Sequence, residues 1–315
     1  MSEHNETALV TGGAGFIGSH LVDRLVESGW NVDVVDDLSS GRKENLNPTA
    51  KLHQMDIRDR ALGDLVSSIK PSVVFHVAAQ ISVAVSAREP LLDADVNVMG
   101  SLNVLEAVRG AGGSKVVFVS TGGAMYGEPE RLPADESLPE RPGAPYGTSK
   151  LCVEKYLPLY RDLYNIKSSI IRPANVYGPR QDPHGEAGVV AIFSRAMLAG
   201  QPVKIFGDGT DERDYVFVGD IVSALMAAAK NDMPGPYNAG TGVGTSVNDL
   251  FRRLADLTRY EQGAKHEAPR PGDLRRISLD ASRARKDLQW TPKMNLDEGL
   301  SQTVEWFRSQ VKTAG

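Results

Sequence analysis

The sequence predicts an α/β fold, a doubly wound parallel sheet followed by a smaller C-terminal lobe. Three features predict it. Short apolar runs alternate with segments of helical period as far as Ile171. A glycine-rich turn joins the first run to the first helix. After Arg172 the alternation loosens, and Pro173, Pro179 and Pro183 mark a change of domain. Strands separated by helices run parallel and are covered on both faces.

The elements follow in order. Ala8 to Thr11 is a strand that stops at glycines. Phe16, Ile17, Leu21, Val22, Leu25 and Val26 recur at helical spacing, and Gly29 ends that helix as a C-cap. Val32–Val35 is the second strand. Strands are expected at Leu52–Met55, Val73–Phe75, Lys115–Val119 and Ser168–Ile171. Between them, Ala61–Ile69, Leu91–Arg109 and Thr148–Leu163 read as helices, the last with an irregularity at Pro158. Later pieces are helices near Val189–Leu198, Asp220–Lys230, Val247–Thr258 and Leu296–Phe307, and a strand at Val203–Phe206. The expected division gives residues 1–174, with part of 213–240, to a dinucleotide-binding domain. The remaining segments of 175–315 form a substrate-binding lobe.

With 315 residues, 41% of them hydrophobic and 24% charged, the chain can bury a sizeable core. A net charge of −5 favours neither nucleic acid nor an anionic membrane as partner. Cys152 is the only cysteine, so no intrachain disulfide can form, and a free thiol suits a reducing compartment. Met1 to Thr7 lacks a signal pattern, and no apolar run reaches spanning length. A soluble, cytoplasmic protein is expected, with no metal.

Gly12, Gly15 and Gly18 stand three apart between the first strand and the first helix. One makes the tight turn, one lets backbone approach a pyrophosphate, and one lets helix pack on sheet. The helix N-terminus, with Phe16 and Ile17 in its first turn, then offers free N–H groups to the phosphates. This strand–turn–helix setting makes the motif a Rossmann fingerprint. Asp36 ends the second strand, where an acid binds the adenosine ribose hydroxyls and repels a 2′-phosphate; NAD is therefore favoured over NADP. Asp37 is the other candidate ribose ligand, and Arg42 keeps NADP as a minor option. Asp56 and Ile57 after the third strand flank the adenine in this reading. Ala78 and Gln80 after the fourth, and Pro173 after the sixth, line the cofactor. His76 adjoins a buried strand and reads as a core histidine.

Tyr146 and Lys150 lie four apart at the start of a helix, on one face. A free tyrosine ionises near pH 10, and a lysine cation with the positive nicotinamide should favour phenolate. Tyr146 then becomes a general base usable near neutral pH. Ser120-Thr121-Gly122-Gly123 follows the fifth strand, at the sheet edge where such folds bind ligands. Thr121 or Ser120 can hydrogen-bond the hydroxyl whose proton is transferred.

Together these residues resemble the extended short-chain dehydrogenase/reductase superfamily, and within it the UDP-glucose 4-epimerases. The likeness covers nearly the whole chain. It rests on Gly12, Gly15 and Gly18, on Asp36, on Ser120 to Gly127, on Tyr146 and Lys150, on Arg172-Pro-Ala-Asn175-Val-Tyr-Gly-Pro179, on Arg213-Asp-Tyr215-Val, and on Arg270-Pro-Gly-Asp273. The resemblance implies that Asn175 holds the diphosphate of a UDP-sugar. It implies that Arg213 and Arg270 clamp the diphosphate, that Asp273 meets the uridine ribose, and that Phe206 packs near the uracil. Arginine suits such a role through bidentate, charge-assisted contacts. It also implies a homodimer built from the helices at Leu91–Arg109 and Thr148–Leu163, which carry apolar residues on more than one face.

One position departs from the family. The catalytic Ser or Thr commonly stands four residues before the tyrosine of the Tyr-Gly pair, which here is Gly122. Counting from Tyr146 instead selects Thr121, with Ser120 in reserve. Related dehydratases carry an Asp-Glu pair directly after the catalytic threonine, and decarboxylating relatives a glutamate. Here Gly122-Gly123 offers no side-chain acid or base. The expected reaction is therefore oxidation at the sugar C4, turning of the 4-keto sugar, and return of the hydride, with NAD retained. UDP-glucuronate and UDP-N-acetylglucosamine are alternative substrates, because Ile277 falls at a position that limits sugar bulk and Arg275 and Arg276 could meet a carboxylate. A non-catalytic dinucleotide-binding regulator is the reading from another class.

Overall fold

The structure, a computed structural model, describes residues 6–183, 188–269 and 274–313. β1 (Thr7–Thr11) passes through the glycine turn into α1 (Phe16–Glu27) and returns as β2 (Asn31–Asp36). β3 (Lys51–Gln54), α2 (Leu62–Ile69) and β4 (Val73–His76) continue the alternation. α3 (Val83–Arg88) and α4 (Pro90–Ala94) follow, and a π-helical turn at Asp95–Met99 runs on into α5 (Gly100–Gly110). Then come β5 (Lys115–Val119), α6 (Pro145–Tyr164) and β6 (Ser168–Pro173). Past these lie β7 (Asn175–Tyr177), α7 (Val189–Leu198), β8 (Lys204–Phe206), β9 (Glu212–Phe217) and α8 (Val218–Lys230). The chain continues with β10 (Tyr237–Ala239), β11 (Gly244–Ser246), α9 (Val247–Thr258), β12 (Lys265–Glu267), β13 (Arg276–Ile277), α10 (Ser282–Leu288) and α11 (Leu296–Thr313).

The large sheet has seven strands in the order β10-β6-β5-β4-β1-β2-β3, and every pairing is parallel. Its strand order reverses between β1 and β4, which opens a crevice beyond their C-terminal ends. Alternate residues feed the two faces, as a period of two requires. Val10, Val34, Phe75 and Val117 pack with Leu21, Leu25, Ile221 and Leu225 of α1 and α8. Leu9, Val35, Val74 and Val116 pack with Leu62, Leu105, Val153 and Leu157 of α2, α5 and α6. Each such side chain, fully buried, contributes roughly 1.5–3 kcal/mol. A separate core of Tyr177, Phe193, Leu250, Leu254, Leu300 and Val304 holds the C-terminal lobe.

Two of the expected helices differ from the sequence reading. The helix expected over Leu91–Arg109 is broken into α4, the π turn and α5, because Asn97 turns inward there to serve buried polar groups. The helix expected from Thr148 begins at Pro145, a residue well suited to a first helical turn because its missing N–H would be unpaired there anyway. Pro158 stays inside that helix.

Candidate active site

Two glycines of the crevice wall, Gly12 and Gly18, tolerate no side chain. Gly12 has φ +70°, and a Cβ on it would lie 2.7 Å from the Ala78 backbone nitrogen. At Gly18 a Cβ would meet the Gly12 carbonyl at 2.0 Å. Gly12 and Ala78 thus bring the ends of β1 and β4 together. Phe16 and Ile17 open α1, whose N-cap, Gly15, leaves the first N–H groups without a side-chain partner.

Asp36 is buried at the end of β2. Its carboxylate accepts from the Ala14 N–H (2.9 Å) and the Leu38 N–H (2.9 Å), which fixes it against the glycine turn. Burial pushes its carboxyl up, and the two N–H groups pull it back. Asp37 instead caps Ser39 in an exposed turn. Arg42 pairs with Asp182 at 3.5 Å. Asp56 is held by Arg58, which also reaches Asp95 at 2.6 Å. Ile57 is buried beside Gly100, where a Cβ would come within 2.7 Å of it. Gln80 turns its side-chain amide away, donating to Asp93 (2.8 Å) and to the Ser82 carbonyl (3.0 Å). His76 bridges Thr11 (2.7 Å) and Ser101 (2.9 Å), and burial pushes its imidazolium down to about pKa 3.

The structure separates the two candidate hydroxyls. Ser120 donates to the buried carboxylate of Glu154 at 2.5 Å. Thr121 lies against Tyr146, and their hydrogen bond favours phenolate. Burial and the charge of Asp93 oppose it, so the phenol is pushed up to about 12. Lys150 donates to the Val119 carbonyl (3.0 Å) and sits 4.8 Å from the Phe118 ring centre. Burial lowers its ammonium to about 8, while Asp93 and Glu154 pull it up. The lysine is therefore engaged by the end of β5, and Thr121 is what pulls Tyr146 toward phenolate.

Gly122 has a packing reason. A Cβ there would stand 2.3 Å from Leu279 Cδ1 and 3.1 Å from the carbonyls of Arg172 and Pro173, and its N–H donates to Pro173. At Gly123 a Cβ would lie 3.4 Å from Asn175 Oδ1. The hydroxyl-bearing loop, the end of β6 and exposed Asn175 thus meet at one place. Arg213, on β9, donates to the Glu212 carbonyl at 3.0 Å. Phe206 ends β8, half-buried. Arg270 and Asp273 lie outside the described residues. Ile277 is covered, and Arg275 and Arg276 pair with Asp211 (3.2 Å) and Glu212 (2.9 Å).

Sequence reasoning missed two buried networks. Arg172, wholly buried, meets Glu154 (2.6 Å), Glu140 (2.9 Å) and the Tyr126 hydroxyl (2.8 Å). Glu154 follows Lys150 by four residues, so its place on the Tyr146–Lys150 face of the helix was open to the same spacing argument. Asp93 accepts from Gln80, Asn97 (3.0 Å) and Ser149 (2.6 Å). No local pattern marks it, because its partners come from three separate segments.

Comparison with known proteins agrees with this geometry. Residues 8–240 match the model of the NAD dependent epimerase/dehydratase family. A UDP-glucose 4-epimerase of Mycolicibacterium smegmatis is 51% identical over 96% of this chain and 98% of its own length. The crystal structure of the Thermotoga maritima UDP-glucose 4-epimerase, with UDP-glucose, superposes with a TM-score of 0.95 at 49% identity, covering 97% of this chain and 99% of that one. That of the Thermus thermophilus enzyme, in complex with NAD, gives 0.92 at 44%, covering 96% and 99%. The residues present fit NAD: a glycine cradle closed to a Cβ at Gly12 and Gly18, open N–H groups at α1, and a fixed carboxylate at Asp36. The chain belongs to the NAD-dependent epimerase/dehydratase family.

Proposed function

We propose that this protein interconverts UDP-glucose and UDP-galactose by reversible oxidation at C4 of the sugar. The observation that carries the reading is the Thr121–Tyr146 pair beside Gly122 and Gly123. The site holds one proton-handling pair and no side-chain acid or base where a dehydratase needs another. NAD, when bound, supplies the acceptor and donor of the C4 hydride. Tyr146, as phenolate, takes the C4 hydroxyl proton and gives it back. Thr121 orients that hydroxyl, with Ser120 committed to Glu154. Lys150 would hold the nicotinamide ribose and favour the phenolate. Asn175 and Arg213, with Arg270, hold the diphosphate about which the 4-keto sugar turns. Phe206 and Asp273 are assigned to the uridine. Residues 1–174, with part of 213–240, carry the dinucleotide, and the rest of 175–315 carries the sugar nucleotide. Arg275 and Arg276, the arginines a glucuronate carboxylate would call on, are already paired with Asp211 and Glu212.

A homodimer belongs to the same reading. Leu91, Met99, Leu159 and Leu163 are exposed large apolar side chains on α4, the π turn and α6, the helices expected to pair about a two-fold axis. Cytoplasmic location is proposed too; no helix among the described residues is long and apolar enough to cross a membrane.

The test is conversion of UDP-galactose by purified protein without added cofactor. Formation of UDP-glucose supports the reading with retained NAD. Absence of conversion with NAD supplied sinks it.

A further inference from the structure

Asp93 is wholly buried, carries a carboxylate, and has no part in the chemistry described so far. It stands one residue before the end of a five-residue helix, α4, that leads into the π turn, and both its oxygens are occupied. One accepts from Gln80 Nε2 (2.8 Å) and Asn97 Nδ2 (3.0 Å), the other from Ser149 Oγ (2.6 Å). Asn97 in turn donates to the Gln80 carbonyl (2.9 Å) and accepts the Gln80 N–H (2.9 Å), so the loop after β4 and the π turn are tied into one unit. Ser149 lies between Tyr146 and Lys150 on the first turns of α6. A buried ionised group is costly unless its oxygens are filled by donors, and these are. Its charge acts on two neighbours at once, opposing ionisation of Tyr146 and favouring the ammonium of Lys150. Among the described residues, the other charged or titratable groups facing this pair are Glu154 from α6 and His76 from β4.

We propose that Asp93 is a positioning residue for the Tyr146–Lys150 pair, fixing the start of α6 through Ser149 and setting the field that acts on the phenol and the ammonium. This rests on Tyr146 being the base. In water such a charge would be screened; among buried groups it is not. Lys150 thereby stays cationic despite its burial, and Tyr146 stays a phenol until the positive nicotinamide tips the balance.

The test uses the NAD-loaded enzyme. Asp93→Asn keeps the shape and removes the charge. Both limbs of its kcat–pH profile should move to lower pH, by about half a unit or more. The tyrosinate absorbance of Tyr146, read as a difference from Tyr146→Phe, should titrate lower by the same amount. Ser149→Ala keeps the charge but strips one donor from it, so its limbs should move upward. KM for the sugar nucleotide should change by less than about threefold in either, because neither residue reaches substrate. A folded Asp93→Asn whose limbs and titration stay put overturns the proposal, whatever its kcat. Should Asp93→Asn not fold, Ser149→Ala decides alone, an upward move supporting the idea and no move ending it. The absorbance titration needs no turnover, so it stands apart from the base assignment, which full activity in Tyr146→Phe would remove.

Discussion

His76 lies between Thr11 and Ser101 with both ring nitrogens engaged, and burial keeps it neutral. Its pKa falls from about 6.5 in the unfolded chain to about 3 in the fold. Between those values the unfolded state binds the extra proton, so stability falls as pH falls through that window. One such group gives a slope of up to about 1.4 kcal/mol per pH unit. Urea titrations at pH 6.5, 5.5 and 4.5 should show it, and His76→Gln should flatten it. Gly122 makes an opposite point about the family pattern. Gly122→Ser would restore the commoner residue yet push into Leu279 and two carbonyls. We expect a loss of roughly 1–3 kcal/mol in stability, from overpacking, and no gain in turnover. Thermal melts and kcat would check it.

At the scale of the element, α6 is the part that matters. Its N-terminal turns carry Tyr146 and Lys150, and one turn later Glu154 anchors it to Arg172 on β6. Glu154→Ala leaves a fully buried guanidinium with only Glu140 and Tyr126 for company. Breaking a buried pair in this way costs about 3–5 kcal/mol. The loss should be visible in denaturant unfolding, and it should also release Ser120, which now donates to Glu154. Thermal stability should fall further than in Glu140→Ala, whose carboxylate is partly exposed. The helix was legible in the sequence from its apolar period and from the four-residue step between Tyr146 and Lys150. Its anchoring was not, because Arg172 reaches Glu154 only after β6 has packed beside β5.

For the whole molecule, the outer faces of α4, the π turn and α6 carry more exposed apolar surface than a solvated helix needs. Leu159→Glu with Leu163→Glu should hold the chain as a monomer in sedimentation velocity while leaving each subunit folded by circular dichroism. A dimer that survives both charges would overturn the assignment of this face. The seven-stranded sheet was readable as six strands: five are largely buried, and β3, with Lys51 and Gln54 exposed, stands at the sheet edge. Its seventh, β10, joins β6 through three residues, too few to stand out from a loop. Likewise β11 and β13 are short strands whose partner, β9, is distant in the chain.

The sequence by itself determined the fold class, the glycine cradle, Asp36 and the Tyr146–Lys150 step, because each depends on local spacing and on one element meeting the next. Tertiary structure alone decided which hydroxyl faces Tyr146. Ser120 and Thr121 are neighbours of like chemistry, and only the position of Glu154 draws one away and leaves the other at the phenol. It likewise decided that Lys150 rests on the Val119 carbonyl, that Gln80 turns to Asp93, and that Gly122 makes room for Leu279. These are contacts between residues far apart in the chain, and no spacing rule reaches across that distance.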